Sequence, residues 1–244
     1  SGDQLTLDAN LYQPDEISSV AMQLPAFEAA NRIFKAAELS ADFDFKGGAR
    51  TLHGKLTSPL GINYETAPKF QLGAIALALT GNHPALSGEV TANVTGSMHV
   101  DYAAQDATLD LVAKIDDSKI AGTVELKDLN HPAYAVEIIA DRLDLDRYLS
   151  GEWLKRFQDD TTAFDTSIFK DMILHGSLRA GEIKMGKFRL NKLAADFKVE
   201  KSMISIAPLA ALIHGGALTG SLSVTAHEMP MVAARQNLKG VQIG

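Results

Sequence analysis

The chain contains no cysteine. Disulfide frameworks, thiolate nucleophiles and cysteine-ligated zinc are therefore excluded. The absence fits an oxidising compartment, where a stray thiol would be a liability. There is one tryptophan, and aromatic residues make up only 7% of the chain, which is thin for a groove that stacks on sugar rings. Lysine and arginine number 23 against 30 acidic residues, with no basic cluster, so nucleic acid is not an expected partner. No run approaches the ~20 apolar residues of a membrane-crossing helix, and no signal peptide opens the chain. The first strand-like run is Gln4–Tyr12 and another precedes Gly244, as in a piece cut from something longer.

The motifs of catalysis are scarce too. Seven histidines are scattered at 53, 83, 99, 131, 175, 214 and 227, with no HExxH or H-x-E pairing. No G-x-S-x-G elbow occurs, and Gly54-Lys55-Leu56-Thr57 fails the P-loop pattern because leucine separates Lys from Thr. Asp42-Phe-Asp44 and Asp144-Leu-Asp146 look like D-x-D metal motifs, but their carboxylates alternate with apolar residues as a solvated strand face requires. Among 30 acids nothing selects a pair for glycoside hydrolysis. The expectation is a protein that is not an enzyme, with no cofactor and no metal.

What the chain does have is a period of two. It is 244 residues long and 46% hydrophobic, enough for one large domain or two small ones with a sizeable core. Leu5, Leu7, Ala9 and Leu11 share one face; so do Leu39, Ala41, Phe43 and Phe45, with Asp42 and Asp44 opposite. The alternation returns at Phe70-Leu72-Ala74, Val90-Ala92-Val94, Leu109-Leu111-Ala113, Tyr134-Val136-Ile138 and Leu193-Ala195-Phe197-Val199. One-sided alternation predicts a half-buried antiparallel sheet. Ile75, Leu77 and Leu79 make the second face of 70–79 apolar as well, so that strand reads as covered on both sides.

Two stretches read as helix. Pro25–Leu39 places Phe27, Ala30, Phe34 and Ala37 on one stripe behind a first-turn proline. Tyr148–Met172 carries Trp153, Leu154 and Phe157, a polar middle, and then Phe164, Ile168 and Phe169. The predicted architecture is mainly β: a curved, mostly antiparallel, repeat-built trough with one or two short helices. Its parts are a β region over 1–149, a helical or loop insert over 150–172 and a β region over 173–244 continuous with the first sheet.

A phrase (apolar, any, Gly, any, apolar) recurs at Leu52-His-Gly54-Lys-Leu56, Leu86-Ser-Gly88-Glu-Val90, Ile120-Ala-Gly122-Thr-Val124, Leu174-His-Gly176-Ser-Leu178 and Leu218-Thr-Gly220-Ser-Leu222. The first three are spaced 34 residues apart. Residues two apart in a strand face one way, so each glycine leaves a notch or a bend among apolar neighbours. Bends repeated by duplication explain the pattern; so does a shallow furrow across successive strands, and the two are compatible. With strands ~4.8 Å apart, a dozen give a surface on the order of 50–60 Å long, suited to an elongated apolar ligand.

The run Leu178-Arg-Ala-Gly-Glu-Ile-Lys-Met-Gly-Lys-Phe-Arg-Leu190, then Leu193–Val199, Ile204-Ser-Ile-Ala-Pro-Leu209 and His214-Gly-Gly-Ala-Leu-Thr-Gly-Ser-Leu222, resembles the C-terminal region of the AsmA family. The family's passage of Pro-Leu followed by a Gly-Gly turn falls on Ala207, Pro208, Leu209, Ala210, Gly215, Gly216 and Gly220, with His214 where tyrosine is more usual. Ala140-Asp-Arg-Leu-Asp-Leu-Asp-Arg-Tyr-Leu149 is similar to another family phrase. The resemblance covers about 120–244; the N-terminal half shares only its strand pattern and repeat.

The resemblance implies a periplasmic segment of an inner-membrane-anchored protein of a Gram-negative bacterium. It further implies a role in outer-membrane biogenesis alongside the TamB-related bridge-like lipid transport group, and no catalytic residues. Phospholipid or another acyl lipid is the expected partner, with outer-membrane assembly proteins as further candidates. The expected lipid-binding residues are Leu52, Leu56, Leu86, Val90, Ile120, Val124, Leu174, Leu178, Leu218 and Leu222. The expected structural glycines are Gly54, Gly88, Gly122, Gly176, Gly220, Gly215 and Gly216. A non-catalytic scaffold that aids outer-membrane protein assembly by strand-edge pairing is the alternative, and a carbohydrate-active enzyme ranks third.

Overall fold

A computed structural model of the chain describes residues 2–13, 16–65, 67–84, 86–148, 172–225 and 231–241. Of the described residues 79% are in strands and one short helix occurs among them, so the fold is mainly β, open and mostly antiparallel, as the alternation requires. The chain forms two compact units, Ser1–Asp117 and Ser118–Gly244.

Unit 1 contains β1 (Leu5–Gln13), β2 (Glu16–Leu24), β3 (Phe27–Ala30), β4 (Ile33–Gly47), β5 (Arg50–Asn63), β6 (Lys69–Asn82), β7 (Val90–Asp101) and β8 (Asp106–Ile115). Neighbours run β1-β2-β4-β5-β6-β7-β8, all antiparallel, with β3 folded onto β4. Unit 2 contains β9 (Ser118–Lys127), β10 (Ala133–Asp144), α1 (Leu145–Tyr148), β11 (Ile173–Met185), β12 (Phe188–Glu200), β13 (Met203–Ile213), β14 (Gly216–Thr225) and β15 (Val232–Lys239). Its neighbours follow chain order. Only β10 and β11 are parallel among the described pairs. Parallel neighbours need a long return connection, and the segment between Asp144 and Ile173 supplies it.

Residues 25–39 form no helix, contrary to the stripe they present. They make the hairpin β3–β4, closed at Asn31-Arg32, both with positive φ (51° and 59°), the geometry of a two-residue primed turn. Folding the chain there places Phe27 diagonal to Phe34, with ring centroids 5.3 Å apart, and Glu28 opposite Lys35. A spacing of seven joins two helical turns, but it equally joins diagonal positions across such a hairpin. The expected helix at 148–172 lies outside the described residues apart from its two ends.

Regular alternation breaks along one line in unit 1. Ala37 and Glu38 together oppose Pro59, and Gly73 and Ala74 together oppose Ser97. Each such bulge adds one residue, and so reverses which parity faces the core. Leu72 and Ile75 consequently lie on one side, opposite Met98 and Gly96 of the unbroken strand β7. Strand β6 is thus not apolar on both faces, as its sequence implied; its two apolar sets are turned to the same face. The carbonyl that the bulge frees at Gly73 accepts a hydrogen bond from the buried Ser58 hydroxyl at 2.8 Å.

Ala74 sits in the left-handed region (φ 51°), where an L side chain costs about 1–2 kcal/mol. Its side chain is exposed, so little packing is lost by removing it. Ala74→Gly is expected to stabilise the protein by about 0.5–1 kcal/mol, read as a raised urea midpoint at unchanged slope. A lowered midpoint would show that the bulge is not strained.

Candidate functional site: an apolar face on each unit

Directly opposed residues of neighbouring strands point the same way. In unit 1 the pairs Leu7–Met22, Val20–Phe43, Leu56–Leu77, Leu77–Val94 and Val94–Ala113 therefore carry one apolar face across the sheet. The opposite side holds Asp44 against His53, Lys55 against Ala78 and Asn93 against Lys114. In β7 the residues alternate without exception between half-buried and exposed until Asp101. The face is densest at Leu24, Ala36, Leu39, Leu72 and Ile75, all buried, packed with Phe34, Leu60 and Met98. From there it opens: Leu52 is 39% exposed, and Leu5, Leu7 and Leu11 of β1 are all more than half exposed. At one rim the Arg50 guanidinium stacks over the Phe45 ring, 5.6 Å from its centroid, while pairing with Glu16.

Unit 2 repeats the arrangement. Val124–Val136, Ile138–Leu178, Leu178–Ala195, Val199–Ile204 and Leu222–Ala234 continue one apolar side through its strands. The core is Ala140, Ala180, Leu193 and Ala211, with Ile120, Leu143, Leu178 and Leu218 around it. Ala207 and Pro208, joined by a cis peptide, form a bulge opposite Asp196 on one neighbour and Ser221 on the other. The parity reversal keeps Ile204, Ile206, Leu209 and Ala211 on the same face. Among the described residues, the main element contacts join sheet neighbours, and α1 rests against β11.

Most of the residues expected to contact lipid lie on these faces. Leu52 and Leu56 are on β5, Val90 begins β7, Ile120 and Val124 are on β9, Leu174 and Leu178 on β11, and Leu218 and Leu222 on β14. Strands β9, β10 and β11 bring Val124, Val136 and Gly176 into one row. Leu86 and Gly88 are the exception. They lie in the β6–β7 connection, where the Leu86 amide donates to the His83 carbonyl at 2.8 Å, so that copy of the phrase is a turn and not a strand.

The glycine furrow is not empty. A Cβ built on Gly54 would lie 2.0 Å from Cζ of Phe43, its cross-strand partner, and one on Gly176 would lie 2.4 Å from Cζ of Phe197. The phenylalanine rings lie across the glycines and fill the notches. Gly215 serves differently: with His214 it closes the β13–β14 hairpin at positive φ (76° and 45°), and Gly216 begins β14. Sequence reasoning left Phe43, Phe197, Leu77, Val94, Met98 and Val136 out of the site; the alternation that marked their strands was the signal for them.

The polar groups are paired with one another. Asp42 faces Lys55, and Asp44 Oδ1 lies 2.7 Å from His53 Nδ1, both on the solvated side of β4 and β5. Asp144 and Asp146 converge on Lys184, at 2.8 and 3.3 Å, so the second D-x-D holds a lysine. Among the described residues no three His, Asp or Glu side chains are grouped as around a metal ion. Two cavities in unit 1 measure about 670 and 380 Å³: the first opens near Lys35 and Gln71 and is lined also by Phe27, Ala36 and Leu60, and the second lies near Asp44 and His53. The apolar side is buried at its densest part and exposed toward β1.

Several carboxylates are held below the usual range by their partners. For Asp101 these are the Lys69 ammonium (2.6 Å) and the amides of Ala104 and Ala103; for Asp144, Lys184; for Asp128, the amides of His131 and Asn130; for Asp141, the amide of Lys119. A carboxyl lowered in the folded state contributes stability that is present above its unfolded pKa and is lost as pH falls through the folded value. Urea stability is therefore expected to hold from pH 7 down to about 5 and to fall below about 4. Asp101→Asn should shrink that fall; an unchanged pH profile would contradict the assignment.

Comparison with family models, curated proteins and solved structures returns no match to the chain.

Proposed function

We propose that this chain binds, and passes along itself, the acyl chains of phospholipid or a related lipid, as a periplasmic segment of an AsmA-like protein of a Gram-negative bacterium. The observation that carries this reading is the apolar face of unit 1, continued through consecutive strands and exposed at Leu5, Leu7, Leu11 and Leu52. Seven strands at ~4.8 Å span on the order of 30 Å, a length suited to a hydrocarbon tail lying across them. Exposed apolar side chains grouped on one face, as Leu5, Leu7, Leu11 and Val20 are, mark a binding surface. Each methylene removed from water contributes ~0.8 kcal/mol, so affinity grows with chain length and no single residue dominates. The headgroup stays in water beyond the strand ends, and the reading needs no catalytic group. The family assignment rests on the Ala207-Pro208 bulge, the Leu209 that follows it and the His214-Gly215-Gly216 turn, which occupy the positions of the AsmA-like passage. The role in outer-membrane biogenesis, reached through an inner-membrane anchor and with assembly proteins as partners, follows from that assignment.

Protein purified from Gram-negative bacteria without detergent tests the proposal by native mass spectrometry. Adducts with phospholipid masses are expected, together with uptake of a fluorescent fatty acyl probe. Neither adduct nor uptake would overturn it and favour the scaffold reading.

A further inference from the structure

The polar side of unit 2 carries a cavity of about 390 Å³ at the β12–β13 turn. Two cross-strand rows build it. His175, Lys198, Ser205 and Ser223 lie opposite one another in the first row, and Glu200, Met203 and Thr225 in the second. Val199 and Ile204, between the rows, point to the apolar side. Lys201 and Ser202 close the hairpin at positive φ (52° and 59°), and Lys201 adds a second ammonium group to the lining. The charges are uneven. Lys198 pairs with Glu200 and holds that carboxyl below its usual range, with Lys201 and His175 adding to the effect. Lys201 itself forms no ion pair among the described residues. Two ammonium groups thus face one carboxylate, an excess of one positive charge in a chain whose net charge is -7. Hydroxyl donors complete the lining. Thr225 accepts the Met231 amide at 2.9 Å and keeps its own proton to donate, and Ser205 makes only a long bond, 3.4 Å, to the Lys198 carbonyl.

We propose that this cavity binds a singly charged phosphate group, as found in a phosphate diester. Lys198 and Lys201 meet its two unesterified oxygens, and the Ser205 and Thr225 hydroxyls donate to the same oxygens. The charge count selects the diester. One surplus cation balances a monoanion, whereas a doubly charged monoester brings its second charge against Glu200. Such a group occurs in free glycerophosphodiesters and in phospholipid headgroups, which would reach the cavity round the turn. The site lies on the side of the sheet opposite the hydrocarbon face, so it stands or falls apart from acyl-chain binding.

Titration of the isotope-labelled full chain with glycerophosphoglycerol, which has no acyl chain, reads the site through amide chemical shifts. Saturable shifts confined to residues 198–205 and the surroundings of Thr225 are expected. Glycerol phosphate, a dianion at about pH 8, should bind at least about threefold more weakly, and Glu200→Gln should remove that preference. Lys201→Asn should weaken binding about tenfold at an unchanged or raised urea midpoint, because asparagine suits the left-handed turn better than lysine. Lys187→Asn, in the β11–β12 turn, should leave binding unchanged. Co-sedimentation with phosphatidylglycerol vesicles separates the two sources of the group. A loss of co-sedimentation in Lys201→Asn assigns the lipid headgroup; soluble binding with co-sedimentation untouched by that variant assigns the free diester. Shifts that never saturate, shifts spread over the surface, or equal binding by Lys201→Asn and the unmodified protein would each overturn the proposal, whatever an acyl probe does.

Discussion

Val94→Asp is expected to weaken uptake of an acyl probe at least tenfold, while Thr95→Asp, one residue along the same strand, leaves it intact. Val94 lies between Leu77 and Ala113 on the apolar face of unit 1; Thr95 is exposed on the other side, between Ala76 and Val112. A carboxylate at position 94 either ionises among apolar side chains, which is costly, or stays protonated and still interrupts the hydrocarbon surface. At least a tenfold loss of probe affinity is expected, with destabilisation of about 2–4 kcal/mol. Val94→Asn carries the test if the aspartate variant does not fold, because it introduces polarity without charge. Equal behaviour of the 94 and 95 variants would mean that the two faces do not differ in function.

The second large effect concerns the filled notch at Gly54. Gly54→Ala places a methyl inside the space of the Phe43 ring, and is expected to cost about 2–3 kcal/mol in urea denaturation. Phe43→Ala removes the obstruction, so the double variant should be more stable than the sum of the single losses predicts, by at least about 1 kcal/mol. Gly122 provides the contrast. A Cβ there meets only the Glu137 carbonyl oxygen, at 3.3 Å, so Gly122→Ala should cost less than about 1 kcal/mol. Strict additivity at 43 and 54 would show that the ring does not sit over the glycine.

The strands were legible because their apolar residues alternate, and burial follows that alternation along β7 and from Leu109 to Ile115 of β8. Strand β7 is the clearest case, half-buried at every even position from 90 to 100. Alternation failed as a guide at the bulges. Leu72 and Ile75 have opposite parity, so the sequence placed them on opposite faces, and only the extra residue at Gly73-Ala74 returns them to one side. The hairpin at 27–36 was misread for a related reason: the spacing of seven between Phe27 and Phe34 fits a helix stripe until Asn31 and Arg32 reverse the chain. The repeated phrase marked β5, β9, β11 and β14 correctly, but the same pattern at 86–90 falls in a turn, because a five-residue motif does not encode what its flanks pair with. The partner of each glycine was out of reach as well. That Phe43 faces Gly54 and Phe197 faces Gly176 depends on register between strands, which composition and spacing along one strand leave undetermined.

The account turns on hydrocarbon contacting one side of a single sheet layer. A photo-crosslinking amino acid placed in turn at Thr91 through Val94 and at Ser97 and Met98 of β7, in protein made inside Gram-negative cells, reads that contact residue by residue. Lipid adducts are expected at 92, 94 and 98 and not at 91, 93 and 97, a period of two in phase with the apolar side chains. Adducts of equal yield at odd and even positions, or none at either, would contradict it.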